Sequence, residues 1–194
     1  MNNTYTSVED KIIYATVDCI ETYGISGATN RRIAQVAGVN IAAINYYFRS
    51  KEALIQRVKE ITLKNAIDLS TLSPMPGVSA QERCTAIFMH IIQGGHRYPG
   101  LTRAHFHNLL AEGQYDALLD EHVNRFVDDL AEDMVDHGCT LAQDELKLAL
   151  IQIFSAAIMA ILAPNLFAQK HGIRLDQPES CLAYVTRLVD RLLK

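Results

Sequence analysis

Apolar residues recur at helical spacing in segment after segment of the chain. Residues 9–23 carry Ile13, Val17 and Ile20 on one face, widened by Ile12, Tyr14 and Tyr23, and predict a first helix that Gly24 stops. Thr29 is suited to cap a short helix ending near Ala37, and Asn40 to cap a second one running to about Tyr47, joined by Gly38-Val39-Asn40. Ser50 then opens a long helix over 51–69, with Glu52 at the positive end of its dipole. Ser70 through Gly77 has two prolines and a glycine and no charge, and predicts a connector. Five more helices are expected at 79–95, 101–112, 115–137, 142–169 and 178–193, punctuated by Gly94-Gly95, Pro99-Gly100, Gly113, Gly138 and the stretch from Gly172 to Pro178.

About nine helices result, an all-α fold. From Leu146 to Leu162 the chain has one charge, Lys147, so that helix is expected to be buried on more than one face. The last segment carries Leu182, Val185, Leu188, Val189 and Leu192 as a stripe. Helices 142–169 and 178–193 are therefore expected to pack against their symmetry mates as a four-helix homodimer interface. The expected division is a head at 1–50, a connecting helix at 51–70 and a body at 71–194.

Composition narrows the class. Of 194 residues 49% are hydrophobic and none is Trp. The four cysteines, Cys19, Cys84, Cys139 and Cys181, form no C-x-x-C pair, so neither a zinc site nor a disulfide framework is expected, and a reducing compartment is. The N-terminal residues lack a basic segment followed by an apolar run, and no stretch reaches the ~18 uninterrupted apolar residues of a membrane span, which predicts a cytoplasmic protein with no membrane partner. The net charge of −4 hides a split: residues 31–64 hold seven cations against two acids, whereas 71–194 hold ten against fifteen. A basic head on an acidic body suits a reader of nucleic acid joined to a domain with another task.

Arg32 through Phe48 carries the strongest motif. A tight crossing of two helices needs a small residue at the close approach (Ala34), a glycine at the turn (Gly38) and inward apolar wedges, here Ile33, Ala37, Val39 and Ile44. Thr29 through Ala34 reads T-x-x-x-I-A. It is followed by Ala37-Gly38-Val39, Tyr46-Tyr47-Phe48 and Ser50-Lys51-Glu52-Ala53-Leu54. Over roughly residues 10–60 the chain thereby resembles the TetR/AcrR family of bacterial transcriptional regulators.

That resemblance implies an N-terminal three-helix helix-turn-helix head, a C-terminal helical bundle with a ligand cavity, and a dimer through the last two helices. It implies phosphate contacts at Thr29 or Asn30, Tyr47 and Lys51, and a base-reading face over residues 40–46. Free helix N–H groups, a phenol and an ammonium suit phosphate on physical grounds as well. In that face Ile41, Ala42 and Ala43 lack hydrogen-bonding groups, which leaves Asn40, Asn45 and Tyr46; Asn pairs with adenine, and Ala or Ile packs on a thymine methyl. Asn40 serves as base contact or as helix cap only, and Arg31 and Arg32 touch DNA or are solvated.

In the body Phe88, Met89, His105, Phe106, Phe126, Met134 and Met159 are candidates for an apolar pocket. His90, His96, His105 and His107 lie close in sequence, but His105 and His107 are two apart on a helix and face different ways, so no metal site is expected. No phosphate loop, G-x-S-x-G elbow or H-E-x-x-H is present, and neither enzyme activity nor a cofactor is expected. The expected function is a ligand-responsive regulator, a repressor by the family's default. It would bind palindromic operator DNA and be released by a small-molecule inducer. The alternative is an all-α ligand-binding or interaction protein whose head lacks sequence-specific binding.

Overall fold

A computed structural model describes residues 7–69 and 77–194; all of the expected connector but Gly77 lies outside the described residues. Eleven helices occur among the described residues: α1 (Val8–Gly27), α2 (Asn30–Ala37), α3 (Ile41–Phe48), α4 (Lys51–Ile67), α5 (Ala80–Arg97), α6 (Pro99–His105), α7 (His107–Glu112), α8 (Ala117–Asp136), α9 (Gln143–Leu162), α10 (Ala168–His171) and α11 (Pro178–Leu192). They divide into two compact units. The first comprises the described residues up to Leu63 with Tyr98–Gln114, the second the described part of Lys64–Arg97 with Tyr115–Lys194.

In the first unit, Ser7 caps α1 by accepting from the Asp10 amide at 3.0 Å, and Ile12, Ile13, Cys19 and Ile20 turn inward. At Gly24 the backbone leaves the helical region (φ 71°, ψ 171°), where the sequence predicts a stop. Helix α2 ends at Gly38 in the left-handed conformation (φ 66°). The Val39 amide donates to the Ala34 carbonyl at 3.0 Å and the Gly38 amide to that of Gln35, so the orphan carbonyls of the last turn are satisfied. Ile33, Ala34, Ile44 and Phe48 then pack with α1 and with Leu54, Ile55 and Val58 of α4. Each such large side chain contributes about 1.5–3 kcal/mol when fully buried.

Tyr98–Gln114 lies beyond the expected connector, yet it packs with these N-terminal helices through Leu101 and Ala104. The single helix expected over 101–112 is two: α6 opens with Pro99 in its first turn, and the chain breaks at Phe106 (φ −92°, ψ 3°) before α7. Glu21 of α1 accepts from the Gly100 amide at 2.9 Å and the Leu101 amide at 2.6 Å, which satisfies the N-terminal donors of α6. A Cβ on Gly100 would stand 2.7 Å from the Glu21 Cα, so this approach requires glycine. At the other end of α6, His105 Nε2 lies 3.1 Å from the Thr62 hydroxyl of α4.

The second unit has its core among α5, α8, α9 and α11, around Phe88, Ile92, Leu130, Met134, Leu150 and Val185. Arg83, buried, is paired with Asp133 at 3.0 Å. Beside them burial pushes the Cys84 thiol up to about 12, helped by Cys139 and Asp133, so this cysteine stays protonated and inert. Gly95 lets α5 approach α9, because a Cβ there would stand 2.5 Å from an Ile161 methyl. Among the described residues α9 alone is long and apolar enough to cross a membrane, with mean hydropathy 1.9, but its Leu146, Ala149, Leu150 and Ile153 lie in this core.

The expected end of α9 is corrected. Its helix was expected to run to 169 and ends at Leu162, because Ala163 precedes Pro164 and its backbone is driven out of the helical region (φ −137°, ψ 55°). Within a single chain the burial expected on more than one face is met on one side by Leu146, Leu150 and Ile153, and Leu148, Ile151 and Met159 are left exposed on the other. The chain after it folds back on itself: Arg174 holds Asp176 at 2.8 Å, Asn165 donates to the same carboxylate, and the Leu175 amide donates to the Pro164 carbonyl.

Candidate nucleic-acid interface

Helix α3 packs inward through Ile44 and Phe48, with Ala43 partly buried against the same core, and helical geometry then turns Ala42 and Tyr46 to the opposite side. Asn45 and Ile41 flank that outer side on one edge and Tyr47 on the other. Tyr46 is 81% exposed, and its ring meets that of Tyr47 edge-on at 5.1 Å. With Ile41, Ala42 and Ala43 apolar, the hydrogen-bonding groups on this face are Asn45, Tyr46 and Tyr47. Asn40 acts as the cap, its Oδ1 accepting from the Ala42 amide at 2.8 Å. One of the two lone pairs of its carboxamide oxygen is thereby engaged by the backbone.

The N-terminus of α2 lies in the same unit. The exposed Thr29 accepts from the Arg32 amide at 3.3 Å, the second residue, Arg31, is exposed, and the Oδ1 of Asn30 is buried with no partner among the described residues. Arg32 is used within the fold: it donates to the Gly27 carbonyl at 2.9 Å and lies 4.5 Å over the Tyr23 ring, tying α2 to α1. Lys51, half-buried, opens α4 beside Ser50, whose hydroxyl accepts from the Ala53 amide at 3.1 Å.

Between α3 and α4 stands a feature that spacing does not reveal. Arg49 has φ 66° and ψ −43°, and the Ser50 amide donates across it to the Phe48 carbonyl at 2.8 Å, which makes a γ-turn with positive φ. For a residue with a Cβ this conformation costs of the order of 1–3 kcal/mol. Arg49 is the one non-glycine residue with positive φ among the described residues.

The seven residues expected to line a pocket divide between the units. His105 and Phe106 are in the first. In the second, Phe88, Phe126 and Met134 are wholly packed, with the Phe88 and Phe126 rings edge-on at 6.3 Å, and Met89 packs against the same core. Met159 does border a cavity, of about 310 Å³, with Ala163, Leu166, Phe167, Ile173 and Leu175 around it and Tyr184 and His171 as its polar tips. Burial pushes the Tyr184 phenol up, as does the Cys181 thiol beside it, so it stands there as a neutral donor. Of the histidines, His96 pairs with the Ala160 carbonyl at 3.0 Å.

Residues 12–58 match the model of the bacterial regulatory proteins of the tetR family. Over 99 residues the chain is 35% identical to the "Probable HTH-type transcriptional regulator YttP" of Bacillus subtilis, which covers 50% of this chain and 48% of that one. Over 80 residues it is 38% identical to the HTH-type transcriptional regulator BetI of Escherichia coli, covering 40% of each. The chain thus spans about half the length of the curated relatives it matches. The fold continues further: a TetR transcriptional regulator from Legionella pneumophila superposes over 100% of both chains, with a TM-score of 0.72 at 18% identity. A transcriptional regulator from Rhodococcus sp. RHA1 does so over 96% of each, with a TM-score of 0.69 at 16% identity. Residues 12–58 thus carry the N-terminal motif of the bacterial regulatory proteins of the tetR family, and the helical fold that continues beyond them is similar to that of TetR regulators.

Proposed function

We propose that the protein is a ligand-responsive transcriptional repressor that binds palindromic operator DNA as a homodimer and is released by a small-molecule inducer. The observation that carries this reading is the outer face of α3, with Asn45, Tyr46 and Tyr47 projecting from it, in one unit with the exposed N-terminus of α2 and with Lys51. In the complex α3 lies in the major groove, Asn45 and Tyr46 meet base edges, and Thr29, Arg31, Tyr47 and Lys51 meet phosphates. The two heads occupy grooves ~34 Å apart or a multiple of that.

The dimer runs through α9 and α11. Leu148, Ile151, Ser155 and Met159 recur at helical spacing on the outside of α9, and Leu182 is exposed on α11, an apolar face that one chain leaves in water. The inducer, on this reading, is a small and largely apolar molecule seated in the cavity bordered by Met159, Phe167 and Tyr184, since the packed side chains of Phe88, Phe126 and Met134 leave it no room. It acts only if it prefers the conformer that does not bind DNA. A cytosolic location belongs to the same reading.

Selection of duplexes from a random library by the purified protein, at two salt concentrations, tests the proposal. Recovery of a palindrome, with affinity falling steeply as salt rises, is expected. Recovery of no common sequence favours an all-α ligand-binding protein whose head does not read sequence, a reading that the lack of hydrogen-bonding side chains at Ile41, Ala42 and Ala43 of α3 makes concrete.

A further inference from the structure

We propose that Arg49 is a phosphate-binding residue of the DNA-reading head, held in place by the strained γ-turn that joins α3 to α4. The inference rests on the reading of the first unit as a DNA-binding head. A turn with positive φ accepts glycine without strain, and a residue with a Cβ persists there when the surrounding structure enforces it or its side chain is needed. Within the fold the Arg49 side chain has no such use. It is exposed and makes no ion pair or hydrogen bond among the described residues, unlike Arg32, which is engaged with Gly27 and Tyr23. Its backbone does the structural work instead: its amide donates to the Asn45 carbonyl at 3.0 Å, and the Ser50 amide closes the turn across it.

Location supplies the ligand. Arg49 follows the last residue of α3 and falls between Tyr47 and Lys51, so a phenol, a guanidinium and an ammonium occur at every second position of a five-residue stretch. A helix lying in the groove has base edges along its outer face, and a group just past its C-terminal end is left to the strand that borders the groove. A guanidinium offers paired donors that fit two oxygens of one phosphodiester. The γ-turn fixes the direction in which the Cβ leaves the backbone, so part of the ordering is done before DNA arrives. The contact reads no bases and adds to the affinity for every duplex alike.

The test is fluorescence anisotropy of the full chain on a labelled duplex of arbitrary sequence, about 30 base pairs long, titrated between roughly 50 and 200 mM NaCl. One lost phosphate contact lowers the slope of log K on log salt by ~0.9 per protomer, so the loss of affinity over that range shrinks by about three- to fourfold for each protomer. Arg49→Gly is expected to show this shallower slope together with a thermal midpoint at or above that of the wild type, because the turn is relieved. Arg49→Gln, which keeps the stem and the strain, is expected to show the same slope as the glycine variant, and Arg49→Lys that of the wild type. An unchanged slope in Arg49→Gly and Arg49→Gln overturns the proposal while leaving the DNA-binding reading in place. So does a lowered slope in Arg49→Lys, which would make the contribution one of shape rather than charge. A wild-type protein that binds no duplex even at the lowest salt overturns both.

Discussion

Tyr47 and Asn45 stand on opposite edges of one short helix, and the proposed complex gives them different work. A phenol that donates to a phosphate contributes alike at every sequence, so Tyr47→Phe is expected to weaken all duplexes by about 1.5 kcal/mol per protomer, roughly tenfold. A carboxamide on a base edge discriminates, so Asn45→Ala is expected to relax preference at one base pair of each half-site by about 1–3 kcal/mol and to change binding to unrelated duplexes little. Competition binding against a panel of singly substituted operators separates the two, and a change of preference in Tyr47→Phe exchanges the roles. At this scale the outward positions of α3 were legible in the sequence, because Ile44 and Phe48 one turn apart define the inner side. The conformation of Arg49 was not, since arginine carries no sign of positive φ, and the engagement of Arg32 depends on a ring nine residues earlier. In the second unit the buried Arg83 depends on its carboxylate: Asp133→Asn is expected to destabilise it toward the low end of about 3–5 kcal/mol, Asp133 being partly solvated, as a thermal or urea melt would measure.

At the scale of elements, α6 shows how tertiary contacts override local pattern. Pro99 and Gly100 mark its start in the sequence, but nothing there marks the break at Phe106 or its packing with the first unit, which come from Leu101 and Ala104 seated in that core and from Glu21 on its N-terminal amides. Gly100→Ala is expected to push α6 off the Glu21 backbone at a cost of about 1–3 kcal/mol, with faster exchange of the Leu101 amide as the reporter. The end of α9 is the opposite case, because Ala163-Pro164 stated it in the sequence and an apolar run drew the expected helix past it. In the fold after α9 the Arg174 guanidinium, followed by Asn165, holds the Asp176 carboxyl down at about 2, against an ordinary value of 3.8. A depressed carboxyl contributes stability above its unfolded value and loses it as the pH falls through its folded value. Closure of the 163–177 segment is therefore expected to be intact above about pH 4 and to loosen toward pH 2, visible in the amide exchange of Leu175, with Asp176→Asn abolishing the step.

At the scale of the molecule, charge and apolar surface follow the chain in different ways. The excess of cations lies in residues 31–64, which contain the proposed reading face, while an acidic excess lies beyond residue 70 and keeps that part from competing for phosphate. The exposed apolar face of α9 is out of place on a lone chain: Leu148, Ile151 and Met159 are each about half exposed or more, along a helix of mean hydropathy 1.9. Single exposed leucines need no explanation, but a stripe at helical spacing does, and in the proposed dimer a second copy presenting the same stripe about a two-fold axis would bury it. Ile151 is outside the core, so Ile151→Glu is expected to leave helicity and the unfolding of the second unit nearly unchanged while placing like charges across the interface. Sedimentation is then expected to find a monomer for the variant and the proposed dimer for the wild type. Operator affinity should fall by orders of magnitude, since two half-sites no longer bind as one event, while binding to an isolated half-site stays the same. A dimer that survives this substitution places self-association on another surface.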